Sequence, residues 1–372
     1  MRRRVHLRLA LFISALGAPT VLSSCVGDEP VTSAPNTAAE AGATTPDSSS
    51  EDATALPDVS NDAPVDAAEQ PPEPAHPVAT GIANPASIAV TSNSIAILTA
   101  TRVLRCPLAD CTAPVEIATD VTATTAPYAI DADDNDVHWF SQVSGSSARY
   151  YYKCPLAGCY GKVPQRRYSD GFSLESPTSL SIGPDGIVRI SQKFDVPACG
   201  PSGCTASGCV SADGIKSAVF DGTTLFWSHT TDPGGLYKCT PGVGGSDIQL
   251  HATAGAVIAA HATNIYTMTA TGISVCAKAG CGGQPTPIVS SEAGISSMVV
   301  APSGVYWSTS GSANAADGAI KMCPLTGCSG SIRLISTGQA QPTSLRYRDG
   351  ILYWANRGVA GGLGGAIMRA GG

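Results

Sequence analysis

Two sets of residues carry side chains whose types and spacing could do chemistry: an acidic run, Asp131-Ala-Asp-Asp-Asn-Asp136, and cysteines that return at a fixed interval. The run offers oxygen donors at alternate positions (Asp131, Asp133, Asn135), as the start of a calcium loop does. It lacks both the glycine at the sixth position and the distal glutamate that such a loop needs. Asp185-Gly186 and Asp349-Gly350 fall at comparable places between apolar stretches, so the run is read as a turn. His76, His138, His229, His251 and His261 show no HExxH spacing, and no nucleophile elbow or phosphate loop is present. The glycine-rich stretch Gly358 to Gly365 leads from one strand into another and is read as a loop. No catalytic residue, metal ligand or cofactor is assigned.

Of the 13 cysteines, twelve lie beyond residue 100. Four pairs are Cys-x4-Cys: Cys106 and Cys111, Cys154 and Cys159, Cys276 and Cys281, Cys323 and Cys328. Structural zinc takes four ligands from two close pairs. Here the pairs lie far apart in a chain that opens with an export signal, so disulfides are expected. Cys199, Cys204 and Cys209 allow two overlapping choices. Cys199 with Cys204 leaves 14 positions before the next repeat begins at Ala218, room for another strand, whereas Cys204 with Cys209 leaves nine. Cys209 and Cys239 then remain, and spacing leaves open whether they join each other. Each short ring should contribute about 2 kcal/mol as a clip at an exposed hairpin edge.

The elements that position these residues form a repeat. In Gln341 to Ala370, an apolar anchor, Leu345, precedes Trp354 by nine residues across the Asp349-Gly350 turn. The same interval joins Met298 to Trp307, Ala218 to Trp227 and Ile130 to Trp139, so all four tryptophans share one repeat position. Weaker copies pair Ile88 with Ile97, Leu180 with Arg189 and Ile258 with Thr267. The seven anchors are spaced by about 43 residues, as propeller blades are. Apolar residues alternate at period two around Gly, Asp or Asn turns, the pattern of strands and hairpins, with no capped helical period after residue 85. The predicted fold class is all-β: a seven-bladed β-propeller of four-stranded antiparallel blades. The last copy has only three strands. Residues 77–82 stand where a fourth strand stands before Met298, so an N-terminal strand is expected to complete the last blade and close the ring.

Three domains are expected: a leader over 1–24, a tether over 25–76 and the propeller over 77–372. The leader has Arg2, Arg3 and Arg4, an apolar run and Leu22-Ser23-Ser24-Cys25, the layout of a secretory signal. Its ending resembles the lipobox of bacterial lipoproteins, which implies acylation of Cys25. Val26 stands where that family's inner-membrane retention signal would lie, which implies the outer membrane. The tether has eleven acidic residues and no Lys or Arg. Such a composition cannot offset chain entropy by burial and is expected to be a disordered coil reaching on the order of 40 Å. Removing the leader's four arginines and the tether's eleven acids from 22 basic and 29 acidic residues leaves 18 of each in 77–372. A formally neutral domain argues against a nucleic-acid partner.

The Tyr-Trp pairs resemble the repeats of the NHL and YWTD propeller class. Ser308-Thr309 and Ala355-Asn356 replace the Thr-Asp that follows Tyr-Trp there, and seven blades are counted against the six of YWTD domains. Seven-bladed propellers also include streptogramin-type lyases, which implies an alternative: a propeller enzyme, a lyase or hydrolase on a polysaccharide or small molecule, with its site at the channel mouth. The leading expectation is a non-catalytic binding or scaffold module, monomeric, anchored by lipid at the cell surface or in the periplasm, with a protein or polysaccharide partner. In a propeller the loops between second and third strands share a face with the links between blades. Those loops are longest in blades two, six and seven, so the candidate binding residues are Gln142, Arg149, Asn314, Asp317, Asn356 and Arg357.

Overall fold

The computed structural model describes residues 73–372 except 110, 120–128, 143–148, 160–164, 167–177, 193–194, 201–202, 208, 210–213, 230–234, 242–247, 252–254, 256, 329–331 and 360–363. These residues lie within the compact unit Asp66–Gly372. Among them there is no helix; the strands form seven antiparallel sheets of four.

Blade one is Ser87–Val90, Ser94–Leu98, Val103–Pro107 and Val115–Ala118. Blade two is Ile130–Ala132, Asp136–Gln142, Arg149–Pro155 and Gln165–Arg166. Blade three is Ser179–Ile182, Val188–Ser191, Ala198–Gly200 and Gly203–Thr205. Blade four is Ile215–Phe220, Leu225–His229, Leu236–Cys239 and Ile248–His251. Blade five is Val257–His261, Asn264–Met268, Ile273–Ala277 and Thr286–Val289. Blade six is Ile295–Ala301, Gly304–Thr309, Gly318–Cys323 and Arg333–Gln339. Blade seven takes Pro342–Arg348, Ile351–Asn356 and Ala366–Gly371 from the end of the chain and His76–Thr80 from upstream of blade one. His76–Thr80 pairs antiparallel with Ala366–Gly371, the expected closure. First strands of neighbouring blades touch all the way round, including blade seven against blade one.

The nine-residue interval is a direct cross-strand register at Ile88 with Ile97, Ile130 with Trp139, Ala218 with Trp227, Ile258 with Thr267 and Met298 with Trp307. Blade three departs from the expectation. Leu180 faces Ile190, not Arg189, because the turn from Gly183 to Ile187 holds one more residue. In blade seven a bulge between Thr343 and Arg346 interrupts the ladder, and Ser344 takes a left-handed φ of 54° there.

Strand alternation explains the Tyr-Trp pairs. Consecutive side chains leave a sheet on opposite faces, and in a propeller each face meets a different neighbour. Trp307 packs toward blade five and Tyr306 toward blade seven; Trp354 packs toward blade six and Tyr353 toward blade one. Each of the seven apolar clusters joins two adjacent blades. All four tryptophans are buried. Blades two and three hold His138 and Arg189 where blades four to seven have an aromatic and blade one has Ala96. His138 meets Tyr151 Oη at 2.6 Å, and Arg189 lies 3.6 Å from the Phe220 ring centroid while paired with Asp185.

All twelve downstream cysteines form disulfides: the four Cys-x4-Cys pairs, Cys199 with Cys204, and Cys209 with Cys239. Two expectations are corrected. Cys204 lies on the fourth strand of blade three, paired with Cys199 across the ladder, so that strand does not follow it. The clips are also not at an exposed edge, since Cys106, Cys154, Cys276 and Cys323 are buried within the apolar layers between blades. The register shows why. Ile95, Val137, Val188, Leu225, Ile265 and Val305 each oppose a cysteine, and Leu352 opposes Ala370. One inward-facing position thus takes Cys in six blades and Ala in the seventh.

Candidate functional site

The residue after each anchor forms a belt along the innermost strands: Ala89, Asp131, Ser181, Val219, Ala259, Val299 and Arg346. Only Asp131 and Arg346 are charged. Asp131 belongs to the first strand of blade two, outside the turn in which its run was expected to lie. That turn is made by Asp133, whose Oδ1 accepts the N–H groups of Asn135 and Asp136. Asp131 accepts the N–H of Ile182 on blade three at 2.8 Å and that of Ala132 at 3.0 Å. Arg346 donates to its neighbour Leu345 O at 3.0 Å and reaches past blade one to Ile130 O on blade two at 3.4 Å. Ala89, the belt residue of the intervening blade, is fully buried.

Burial pushes the Asp131 carboxyl above its ordinary range, offset in part by the Arg346 charge and the two backbone N–H groups. Burial also lowers Arg346, against the Asp131 charge. Desolvation therefore outweighs attraction at both groups, as expected for charges in a confined channel.

Serine hydroxyls fasten the inner strands beside this belt. Ser297 accepts Leu345 N at 2.9 Å and Ser344 accepts Ile88 N at 2.9 Å, each reaching to the next blade. Ser344 and Ser87 hydroxyls meet at 3.0 Å, sealing the seventh blade to the first. Serine stands just before the anchor in five blades (Ser87, Ser179, Ser217, Ser297, Ser344), a regularity visible in the sequence whose purpose was not.

Above the channel, on the face of the second-to-third-strand loops, four of the six candidates fall at blades six and seven. Asn314 is exposed; Asp317 is exposed and accepts Ser312 N at 2.7 Å, shaping the loop. Gln341 donates to Ala313 O of that loop at 3.0 Å, and its own carbonyl accepts Arg357 N at 3.3 Å. Arg357 is half-buried and donates its Nε–H to Asn84 Oδ1, on the link into blade one, at 3.2 Å. Asn356 is 7 % exposed, and its Nδ2 shares Gln339 Oε1 with Trp354 Nε1, both at 2.9 Å. Asn356 Oδ1 has no donor among the described residues. Gln142 and Arg149 oppose each other at the same end of the blade-two hairpin; their side chains lie outside the described residues. Cys25, expected from the sequence to be lipidated, also lies outside them.

The structure thus ties the loop that carries Asn314 and Asp317 to Gln341, and Arg357 to Gln341 and Asn84, while Asn356 is buried against Gln339. Sequence reading missed Asn84 and Gln341, in the links into blades one and seven, and Gln339, at the end of the fourth strand of blade six, because their partners are set by contacts between blades. It missed the Asp131–Arg346 pair although the signal was available: both follow an anchor directly. Among the described residues, no group of three or more His, Cys, Asp or Glu is placed to hold a metal.

No protein-family model matches the chain, and no curated protein matches it in sequence. Among solved structures, a streptogramin B lyase aligns with 80 % of this chain and 97 % of its own at 11 % identity and a TM-score of 0.58. A virginiamycin B lyase from Staphylococcus aureus aligns over 78 % and 95 % at 12 % identity, TM-score 0.55. The AfRom2 CNH domain aligns over 79 % and 98 % at 10 % identity, TM-score 0.53. At these identities the likeness is one of fold, a seven-bladed ring, and carries no activity across.

Proposed function

We propose that the protein is a non-catalytic recognition module, lipid-anchored through Cys25 and carried on the acidic tether of residues 25–76. It binds a protein or polysaccharide of the cell envelope through the rim at blades six, seven and one. The observation that carries this reading is how the polar groups are used. In the channel, Asp131 and Arg346 are tied to backbone groups of blades two, three and seven, so they fasten the ring. On the rim, Gln341 ties the blade-six loop at Ala313 O and Arg357 meets Asn84 on the link into blade one, and loops and links are where recognition residues sit on rigid scaffolds. Six disulfides fit an extracytoplasmic protein, and an outer-membrane position follows from the lipobox resemblance.

The test is capture from envelope extracts, polysaccharide included, by surface-displayed protein. Alanine at Gln142, Arg149, Asn314, Asp317, Asn356 and Arg357 should reduce capture, whereas alanine at the exposed turn residues Asn135 and Thr263 of the opposite face should not. Equal capture by both sets would reject this face. Cys25→Ala should move the protein from membrane to soluble fractions, and unchanged partition would reject the anchor.

A further inference from the structure

The innermost strands give the channel two walls of different character. Every anchor is buried, yet six of the seven belt residues that follow the anchors keep part of their surface accessible; Ala89 alone is buried. Blades seven, two and three contribute Arg346, Asp131 and Ser181, whereas blades four, five and six contribute Val219, Ala259 and Val299. One arc is polar and the other apolar.

The fold leaves part of the polar arc unused. Arg346 donates through its two Nη groups, to Leu345 O and Ile130 O, and its Nε–H has no partner among the described residues. The Ser181 hydroxyl has none there either. Asp131 and Arg346 do not pair directly, since no guanidinium nitrogen lies within 4.0 Å of the carboxylate. Burial raises the Asp131 carboxyl and lowers Arg346, so both charges are costly, and no contact between them offsets that cost.

We infer that the channel is a binding site for a free, apolar α-amino acid, separate from the rim. A ligand of one sign is excluded by the pair itself: an anion at Arg346 meets the Asp131 charge, and a cation at Asp131 meets Arg346. A zwitterion satisfies both. Its carboxylate takes the unused Nε–H edge of Arg346, and its ammonium donates to Asp131, whose oxygens each accept one backbone N–H and have a second lone pair. Ser181, one blade further on, offers a hydroxyl to the same ammonium. The ligand's side chain then lies against Val219, Ala259 and Val299.

The experiment is calorimetry of the full chain at neutral pH with L-leucine, L-valine, glycine, N-acetyl-L-leucine and L-leucinamide. L-Leucine or L-valine should bind and raise the melting temperature. The two blocked forms, each lacking one charge, should bind at least about tenfold more weakly, and so should glycine, which has no side chain to bury. Arg346→Gln keeps N–H donors for the two carbonyls without the charge, and should lose at least about tenfold in affinity. Ser181→Ala removes a hydroxyl that holds nothing in the fold, so it should melt as the parent does and lose about fivefold. No binding of L-leucine or L-valine by the parent, equal binding of glycine or either blocked form, or full affinity in Arg346→Gln would each overturn the inference. If Arg346→Gln does not fold, full affinity in Ser181→Ala overturns it instead.

Discussion

Removing the Cys209–Cys239 bond should destabilise the protein more than removing any Cys-x4-Cys clip. The bond closes a separation of 30 residues and joins the end of blade three to the third strand of blade four, whereas each clip spans five. In the chain-entropy treatment the longer loop contributes about 3.7 kcal/mol and a clip about 2.2, a difference of about 1.5 kcal/mol. Burial acts in the same direction, since Cys209 and Cys239 are both buried whereas in the clip Cys276 is buried and Cys281 only partly so. The perturbations are Cys209→Ala with Cys239→Ala, and Cys276→Ala with Cys281→Ala. Non-reducing peptide mapping verifies the remaining bonds, and equilibrium urea unfolding reads stability. At about 2 °C per kcal/mol for a large domain, the cross-blade variant should also melt roughly 3 °C below the clip variant. An equal or smaller loss for the cross-blade variant would refute the reasoning. It would mean that the seam between blades three and four is held by its apolar layer, in which Val196, Ile215, Leu225 and Trp227 meet, and not by the loop constraint.

Three further outcomes follow from the same structure. Deleting residues 73–82 removes buried Ala79 and Ile82 and the ladder to Ala366–Gly371, on the order of 5 kcal/mol and comparable with a whole domain's stability. Cooperative unfolding should vanish, and a sharp transition at the parent's temperature would refute closure. Gln339→Ala strands the buried Trp354 Nε1–H and Asn356 Nδ2, so stability should fall by about 3 kcal/mol in urea; a loss below 1 kcal/mol would mean water replaces the amide. Burial pushes the Asp221 carboxyl up, but Lys278 at 2.8 Å and the N–H groups of Thr224 and Thr223 outweigh it and hold the group at about 2. Its stabilisation is present above the unfolded value of about 3.9 and lost as pH falls through about 2. Asp221→Asn should therefore lose about 1 kcal/mol at neutral pH, after allowance for solvent screening, and match the parent near pH 2. A gap that persists there would show that the side chain's loss, not its charge, matters.

Sequence by itself determined the number of blades, the place of each tryptophan, the closing strand and five of the six disulfides. Each of these rests on residues close in the chain or on one position returning at a regular interval. Period-two alternation and turn residues are local, and repetition multiplies a weak local signal. Where the local rule bent, the reading slipped: the longer turn before Val188 shifted blade three by one residue, and the fourth strand there began earlier than the spacing suggested.

Tertiary structure alone decided what meets across blades. Ser344 closes on Ser87, Arg346 reaches Ile130, and Arg357 is held by Asn84, pairs separated by 257, 216 and 273 residues. It also turned the disulfides from edge clips into part of the apolar layers between blades, and decided that Cys209 and Cys239 join. No pattern within one copy encodes such contacts, because they depend on how the closed ring brings inner strands and links together. The rim is built at Asn84 and Gln341, in links between blades, and a link residue gains meaning only once its neighbours in space are known.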